Sequence, residues 1–303
     1  MKNNLLKTIT MDARLRRNEL GFLELVDKPT KEELADYYAN KYYQNESANY
    51  RKKYSELEMA VINLRVSQRA RQISLLRGGG RTGSLLDVGC GEGFVLNHFS
   101  KLDWKVAGID FSKTGVEQMN PNCLQHVEQG DVFELLESKI RKSQKYDLVW
   151  LGNVLEHVLE PIELLQSLRQ LVSNNGILAI TVPNDGNDYH ESLLESGLIS
   201  ERWWIAIPDH ISYFTADSLK RTATATGWEC LALHGDFPVD WFIANDFSNY
   251  INDKNRGPAV HRARLKLEYL IGQAGPDKAN RFYESLADVG FGRDITAYLR
   301  PII

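Results

Sequence analysis

Two histidines stand where this sequence can do chemistry. His157 closes the run Asn153-Val154-Leu155-Glu156-His157, and His210 follows Pro208-Asp209. An imidazole titrates near neutrality, so either ring can take the proton of a hydroxyl whose oxygen attacks an electrophile. Each also has a plainer role: His157 can orient the segment after a strand, and His210 can be a loop histidine satisfied by backbone. Glu156 can orient His157, bind a metal, or favour a helix start through the dipole. Trp203 and Trp204, with Tyr213 beyond His210, offer faces that stack on sugar C–H bonds or aromatic substrates. The same rings serve equally well as core. A base needs an electrophile held beside it.

The stretch suited to hold one is Leu85-Leu86-Asp87-Val88-Gly89-Cys90-Gly91-Glu92-Gly93-Phe94. An apolar strand ends in an acid and then in three glycines on alternate positions. Without Cβ atoms, glycines turn tightly and let a ligand approach the main chain. A dinucleotide fingerprint would place its third glycine one residue later, where Phe94 stands, and would hold a diphosphate at the helix N-terminus. A P-loop would need Gly-Lys-Ser/Thr, which is missing. Asp87 would repel a diphosphate and attract an ammonium. S-adenosylmethionine (SAM) carries an ammonium and a sulfonium and no phosphate.

The next acids agree. Lys105-Val106-Ala107-Gly108-Ile109-Asp110 reads as a second strand, and Asp110 lies 21 residues after Gly89, the offset of a carboxylate that accepts from ribose hydroxyls. Gly130-Asp131-Val132 follows the short stretch Leu124 to Glu128, placing an acid where an adenine amino group would donate. Tyr146 to Leu151 is a fourth strand. Ile177 to Val182 is a fifth, stopped by Pro183. Strands alternating with helical patterns predict a parallel sheet with right-handed crossovers, and continuous apolar runs fit strands buried on both faces.

With these motifs the chain resembles the class I SAM-dependent methyltransferases. Within them it resembles the branch of ubiquinone-biosynthesis O-methyltransferases and many sugar and lipopolysaccharide-pathway methyltransferases. The likeness rests on Leu86 to Gly93, Gly108-Ile109-Asp110, Asn153 to Val158, Pro208 to Thr215, Gly227-Trp228-Glu229 and the N-terminal run Pro29 to Tyr38. It implies an α/β fold: a Rossmann-like, doubly wound, mostly parallel seven-stranded sheet, with an N-terminal helical segment and a C-terminal helical extension. It implies SAM held by Asp87, Gly89, Gly91, Asp110 and Asp131, with Cys90, Phe111, Val132, Asn153 and Val154 alongside. Many sugar methyltransferases of this kind begin with a cysteine-rich zinc knuckle; this chain lacks those cysteines, so no structural zinc is expected. Some relatives in the ubiquinone branch place a divalent metal on acids near His157. No further ligand cluster shows here, so no metal is expected.

Composition fits a soluble enzyme of 303 residues with one large domain and appendages. A net charge of -4 gives no general reason to expect nucleic-acid binding. Three scattered cysteines argue against a disulfide framework and suit a reducing cytoplasm. No apolar run approaches the roughly 20 residues of a membrane span, and Met1-Lys2-Asn3-Asn4 leads into no signal-peptide core.

Three parts are expected. Residues 1–55 form a tyrosine-rich N-terminal segment in which Tyr42, Tyr43 or Tyr54 closes over the cofactor or packs as a helix stripe. Residues 56–235 form the SAM-binding core, entered by a helix over Glu56 to Leu76. Residues 236–303 form an extension for acceptor binding or for a homodimer, with a helix over Val260 to Ile271. The extension's basic cluster (Arg256, His261, Arg262, Arg264, Lys266) and its Gly290-Phe291-Gly292-Arg293 loop suit a phosphate, or are a solvated helix face and a turn.

The expected activity is methyl transfer from SAM to a hydroxyl of a small molecule, a sugar or a nucleotide- or lipid-linked glycan precursor. His157 or His210 would serve as base, and Trp203, Trp204, Tyr213 and Arg293 would meet the acceptor. The alternatives are a quinone-type phenol, a nitrogen or carbon acceptor, and a SAM-binding protein without turnover.

Overall fold

The computed structural model describes residues 12–34, 36–37, 53–79 and 82–302. Its centre is a seven-stranded sheet. The first strands of that sheet are β3 (Ser84–Val88), β4 (Lys105–Asp110) and β5 (Val127–Gln129). They are followed by β6 (Tyr146–Gly152), β7 (Val172–Pro183), β9 (Trp228–Gly235) and β10 (Asp294–Pro301). The order across the sheet is β5-β4-β3-β6-β7-β10-β9. The five strands from β5 to β7 are parallel, and β10 runs antiparallel to both β7 and β9. Chain order reverses between β3 and β6, so a crevice opens at their carboxyl ends, the usual ligand position in open α/β sheets.

Period-two alternation sends neighbouring side chains to opposite faces. Leu86 and Val88, Val149 and Leu151, and Leu178 and Ile180 build one core layer with Leu164, Leu168 and Trp228. Leu85, Leu148, Trp150, Ile177 and Ala179 build the other against Ile73, Leu96 and Phe99. Stretches covered on both sides are apolar, as Leu85-Leu86 of β3 and Ile177 to Ile180 of β7 are.

The helix leading in is α1 (Glu56–Leu76), capped by Ser55 and Glu58 in a reciprocal capping box. Next come α2 (Phe94–Ser100), α3 (Thr114–Met119), α4 (Val132–Arg141), α5 (Pro161–Arg169), α6 (Asp188–Glu195) and α7 (Ala216–Ala225). After β9 come α8 (Gly257–Gln273) and α9 (Pro276–Asp288), which pack on α1. A Cβ on Gly272 would lie 2.7 Å from Leu64, so the two helices need glycine to approach so closely. Arg65 of α1 donates two hydrogen bonds of 2.6 Å to the buried Glu268 of α8.

Two expectations change. The boundary after residue 235 does not separate a core from an appendage, because the chain's last strand, β10, lies between β7 and β9. Ile295, Ala297 and Leu299 belong to the main core, and Thr296 shares a 2.9 Å hydroxyl contact with Thr181 of β7. The N-terminal segment also holds more than helix. Residues 31–34 and 36–37 are helical, but β1 (Leu15–Arg17) and β2 (Leu23–Leu25) form a hairpin. That hairpin pairs with β8 (Ser212–Tyr213), just after His210. Tyr42 and Tyr43 lie outside the described residues. Among the described residues no helix is long and apolar enough to cross a membrane.

Candidate functional site

β3 delivers Asp87 to the crevice and then breaks. Gly89, Gly91 and Gly93 have φ of +72°, +54° and +74°, a region L side chains rarely enter. At Gly89 a Cβ would also strike Val154 Cγ2, 2.4 Å away, in the loop after β6. Residues from either side of the switch point therefore meet across a glycine. Gly93 begins α2, and its φ sets the helix direction.

Asp87 is 2 % exposed. Burial, reinforced by the charge of Asp110, pushes its carboxyl up to about 8. A carboxylate so placed is costly to ionise alone and becomes favourable beside a cation. Asp110 closes β4, with Oδ2 accepting from Gly91 N at 2.8 Å and Oδ1 from Ser112 N at 3.0 Å. Burial raises its carboxyl, and the backbone donors oppose that rise. The N–H of Phe111 also reaches this carboxylate, which has acceptor capacity left for a ribose hydroxyl. Phe111 follows at the rim, half exposed, and Cys90 is buried with its thiol pushed up by the loss of water. An orphaned acid, a cradle that a Cβ would fill and a diol acceptor fit an aminoacyl nucleoside such as SAM.

Asp131 caps α4, its Oδ1 accepting from Glu134 N at 3.1 Å, and Val132 is buried in the core. Tyr54 donates to the Glu92 carboxylate at 2.8 and 2.9 Å and meets Phe94 edge-on at 6.0 Å. Tyr54 thus touches the glycine loop.

The other half of the edge is built by β6, β7, β9 and β10. After β6, Asn153 turns the chain at φ +55° and donates its N–H to Thr181 O at 2.9 Å. A single 3₁₀ turn, Leu155–His157, follows. Glu156 is 1 % exposed, and neither carboxylate oxygen has a hydrogen-bond partner among the described residues. Burial pushes its carboxyl well above the usual range, aided by Asp294 and Asp185.

The two histidines come together here. Their ring centroids are 4.9 Å apart, edge to face. His157 Nδ1 lies 2.6 Å from Asp209 O, so that nitrogen carries the proton, since a carbonyl only accepts. His157 Nε2 lies 3.6 Å from Glu156 Oε1. His210 Nδ1 is buried and lies 3.7 Å from Asp185 Oδ2. Glu156, His157 and His210 also bring ligand atoms within 4.8 Å of one another, a geometry that can receive a divalent metal. Adjacent in sequence, Glu156 and His157 gave no sign of the third ligand, which arrives from residue 210.

The residues expected to meet the acceptor fare differently. Trp204 (3 % exposed) and Tyr213 (1 %) pack with Leu15, Leu25 and Ile211, which leaves neither a surface for an acceptor. The Tyr213 hydroxyl donates to His210 O at 3.0 Å, so it steadies the histidine's backbone instead. Trp203 packs edge-on against His190 at 4.7 Å. Arg293 gives Nη1 to Asp185 Oδ1 at 2.6 Å and sits 4.0 Å from Asp240. Held between two acids, it has little charge left for a phosphate. Three of the five basic residues in the cluster are likewise paired: Arg256 with Asp253, His261 with Glu58 and Arg264 with Glu268.

Asp185, Asp240 and His190 were missed. Asp185 stands in Asn184-Asp185-Gly186, which reads as an ordinary turn after a strand. Asp240 accepts from His190 Nε2 at 2.9 Å and from Tyr250 at 2.7 Å, contacts spanning 50 and 10 residues that no local spacing announces.

A sequence profile described as a methyltransferase domain matches residues 62–233. A ubiquinone biosynthesis O-methyltransferase of Histophilus somni is 30% identical over 109 residues, 33% of this chain and 44% of that protein. The protein of the same description from Colwellia psychrerythraea is 28% identical over 162 residues, 50% of this chain and 63% of its own length. The chain thus spans about half the length of the curated relatives it matches. Among solved structures, a SAM-dependent methyltransferase from Archaeoglobus fulgidus has TM-score 0.50 at 17% identity, covering 88% of this chain and 99% of that one. The 4+2 cyclase SpnF has TM-score 0.51 at 18% identity, covering 91% and 98%. These likenesses show the fold, and the cyclase shows that the fold alone does not fix a reaction.

Proposed function

Because this chain belongs to the methyltransferase-domain family, we propose that it transfers a methyl group from SAM to a hydroxyl of a small molecule. One observation carries the reading: two histidines face each other at 4.9 Å beside the loop that meets Gly89. When bound, SAM supplies an electrophilic methyl on a sulfonium. Asp87 would hold its ammonium, Asp110 its ribose hydroxyls, and Gly89 and Gly91 would admit it to the main chain.

The protein's remaining task is alignment, exclusion of water and removal of one proton. His210 is the better base. His157 has Nδ1 bound to Asp209 O and Nε2 turned towards Glu156. His210 has Nδ1 towards Asp185, which would leave Nε2 for the acceptor.

The sequence suggested a nucleotide- or lipid-linked sugar, which requires a cation for its diphosphate. Arg293 is committed to Asp185 and Asp240, and the nearby groups Glu156, Asp185, Asp209 and Asp240 are acids. That balance favours an acceptor without phosphate. A quinone-type phenol is the better supported class, since the curated relatives act in ubiquinone biosynthesis by name.

The test is a screen of catechols, other phenols, free sugars and nucleotide sugars with purified chain and SAM, read by mass. A gain of about 14 daltons on an acceptor, on oxygen, supports the reading. Tight SAM binding with no turnover on any class points to a binding protein instead. Loss of turnover in EDTA, restored by magnesium, would give His210 to a metal and overturn its role as base.

A further inference from the structure

We propose that Asp185 is the positioning residue for His210, holding its imidazole with the proton on Nδ1 so that Nε2 faces the acceptor. The proposal rests on the reading of His210 as the base and adds the group that prepares it.

Asp185 is fixed before its side chain is considered. Its N–H donates to Phe214 O at 2.9 Å, four residues past His210. Its neighbour Asn184 donates through Nδ2 to Gly290 O at 3.0 Å and Gly292 O at 3.1 Å, and its own N–H reaches Arg293 O at 2.9 Å. The segment after β7 is thus clamped between the His210 loop and the turn before β10.

The carboxylate is 1 % exposed and divides its two oxygens. Oδ1 takes Arg293 Nη1 at 2.6 Å, and Oδ2 faces His210 Nδ1 at 3.7 Å. Arg293 is held in turn by Asp240, 4.0 Å away, which is fixed by His190 and Tyr250.

His210 Nδ1 is a buried nitrogen without a hydrogen-bond partner among the described residues. Leaving such a group unpaired costs about 1–3 kcal/mol. A closure of roughly half an ångström brings it into hydrogen-bond range of Asp185 Oδ2, and an ionised carboxylate only accepts. Nδ1 must then carry the hydrogen, and Nε2 keeps its lone pair. His157 has its own partners in Asp209 and Glu156, so each ring is paired with a different acid.

In methyl transfer the new C–O bond forms as the C–S bond breaks with its electron pair remaining on sulfur. The hydroxyl proton passes to His210 Nε2, and the imidazolium so formed is stabilised by Asp185. One positive charge moves from sulfur to the ring, and the proton later leaves to water. With the hydrogen on the wrong nitrogen, Nε2 has no lone pair to receive that proton.

The test reads the tautomer. The full chain, labelled with ¹⁵N in its histidines and dialysed against EDTA, is examined by long-range ¹H–¹⁵N correlation at roughly pH 8.5, well above the ordinary histidine pKa of about 6.5. A His210→Gln sample identifies the signal. The expected result is the Nδ1–H form in the native chain and the Nε2–H form in Asp185→Asn. The inversion follows because Arg293 only donates, so the asparagine must turn its carbonyl to Arg293 and its amide N–H to His210 Nδ1. This variant keeps a partner for Arg293, and a thermal melt confirms that it folds. An Nε2–H form in the native chain overturns the proposal whether or not the variant folds, and so does an unchanged Nδ1–H form in Asp185→Asn. The measurement needs neither SAM nor acceptor. An absence of turnover on every acceptor class would remove the proposed activity and leave the tautomer result standing.

Discussion

From Asp87 to Asp110 the carboxyl edge presents main-chain N–H groups and glycines at φ between +54° and +74°, all within one strand–helix–strand unit. From Asn153 to Arg293 it presents side chains from four separated segments: 153–157, 184–185, 209–210 and 290–293. The first half is encoded locally, because a glycine turn and an acid at a strand end need only their neighbours. The second exists only after β10 has entered the sheet beside β7 and carried Arg293 to Asp185. The halves should therefore fail by different routes, one in cofactor affinity and the other in turnover.

The largest effect separates them at once. His210→Ala should lower turnover by roughly 10²–10⁴-fold, the usual worth of a positioned general base, while calorimetry finds SAM affinity within about twofold of the native value. A matching loss of SAM affinity would erase the division between halves. If His210→Ala and His157→Ala both keep full activity, histidine base catalysis is wrong for this protein. Next in size is Asp110→Ala, which removes an acid that organises Gly91 and Ser112 and accepts from the ribose. Hydrogen bonds to a charged group are worth about 1.5–3 kcal/mol, so SAM should bind roughly 10- to 150-fold more weakly. Unchanged affinity would sink the assignment of the cofactor to this crevice.

The same division decided what could be read from sequence. The glycine loop, Asp87, Asp110 and the whole of α1 were legible because each rests on local pattern: a turn, an acid at a strand end, an apolar helix face closed by glycines. β10 has an equally clear run, with Ile295 to Leu299 all buried. Its place between β7 and β9 is a matter of pairing, which no local pattern states. β1 and β2 are three residues each and carry Arg16, Arg17 and Glu24, too short and polar to announce strands. Trp204 and Tyr213 were read as binding surface because aromatic rings serve core and site alike; only the packing of Leu15 and Leu25 against them decides. Asp185 had no signal at all until His210 and Arg293 converged on it from either side.

A smaller effect probes the cofactor half by pH. Burial, with the charge of Asp110, raises the Asp87 carboxyl to about 8. Holding an ammonium requires the ionised form, so below that value SAM binding must expel a proton. Affinity should rise with pH, by at most about tenfold per unit, and level off near 8. The binding enthalpy should vary with the ionisation enthalpy of the buffer. Linkage gives the sign for stability without SAM. The folded chain binds more protons than the unfolded one between about pH 4 and the raised value. The stability from protonated Asp87 is therefore present in acid and lost as pH rises through about 8. A binding enthalpy that is the same in all buffers below pH 8 would mean that Asp87 exchanges no proton on binding, and would overturn the predicted pH dependence of affinity.

The smallest effect asks whether the cofactor half is as local as it looks. Tyr54 comes from outside the strand–helix–strand unit, just ahead of α1, and its hydroxyl donates to Glu92 between Gly91 and Gly93. Its ring leans on Phe94 at the start of α2. Tyr54→Phe keeps the ring contact and removes the hydrogen bond. A net hydrogen bond contributes about 0.5–1.5 kcal/mol, so SAM should bind roughly 2- to 10-fold more weakly, with the thermal midpoint nearly unchanged because the pair is only partly buried. That outcome would make the glycine loop depend on a side chain delivered by the N-terminal segment and give that segment a part in closing over the cofactor. A lowered midpoint with unchanged SAM affinity would return Tyr54 to packing and leave the loop to its glycines and acids.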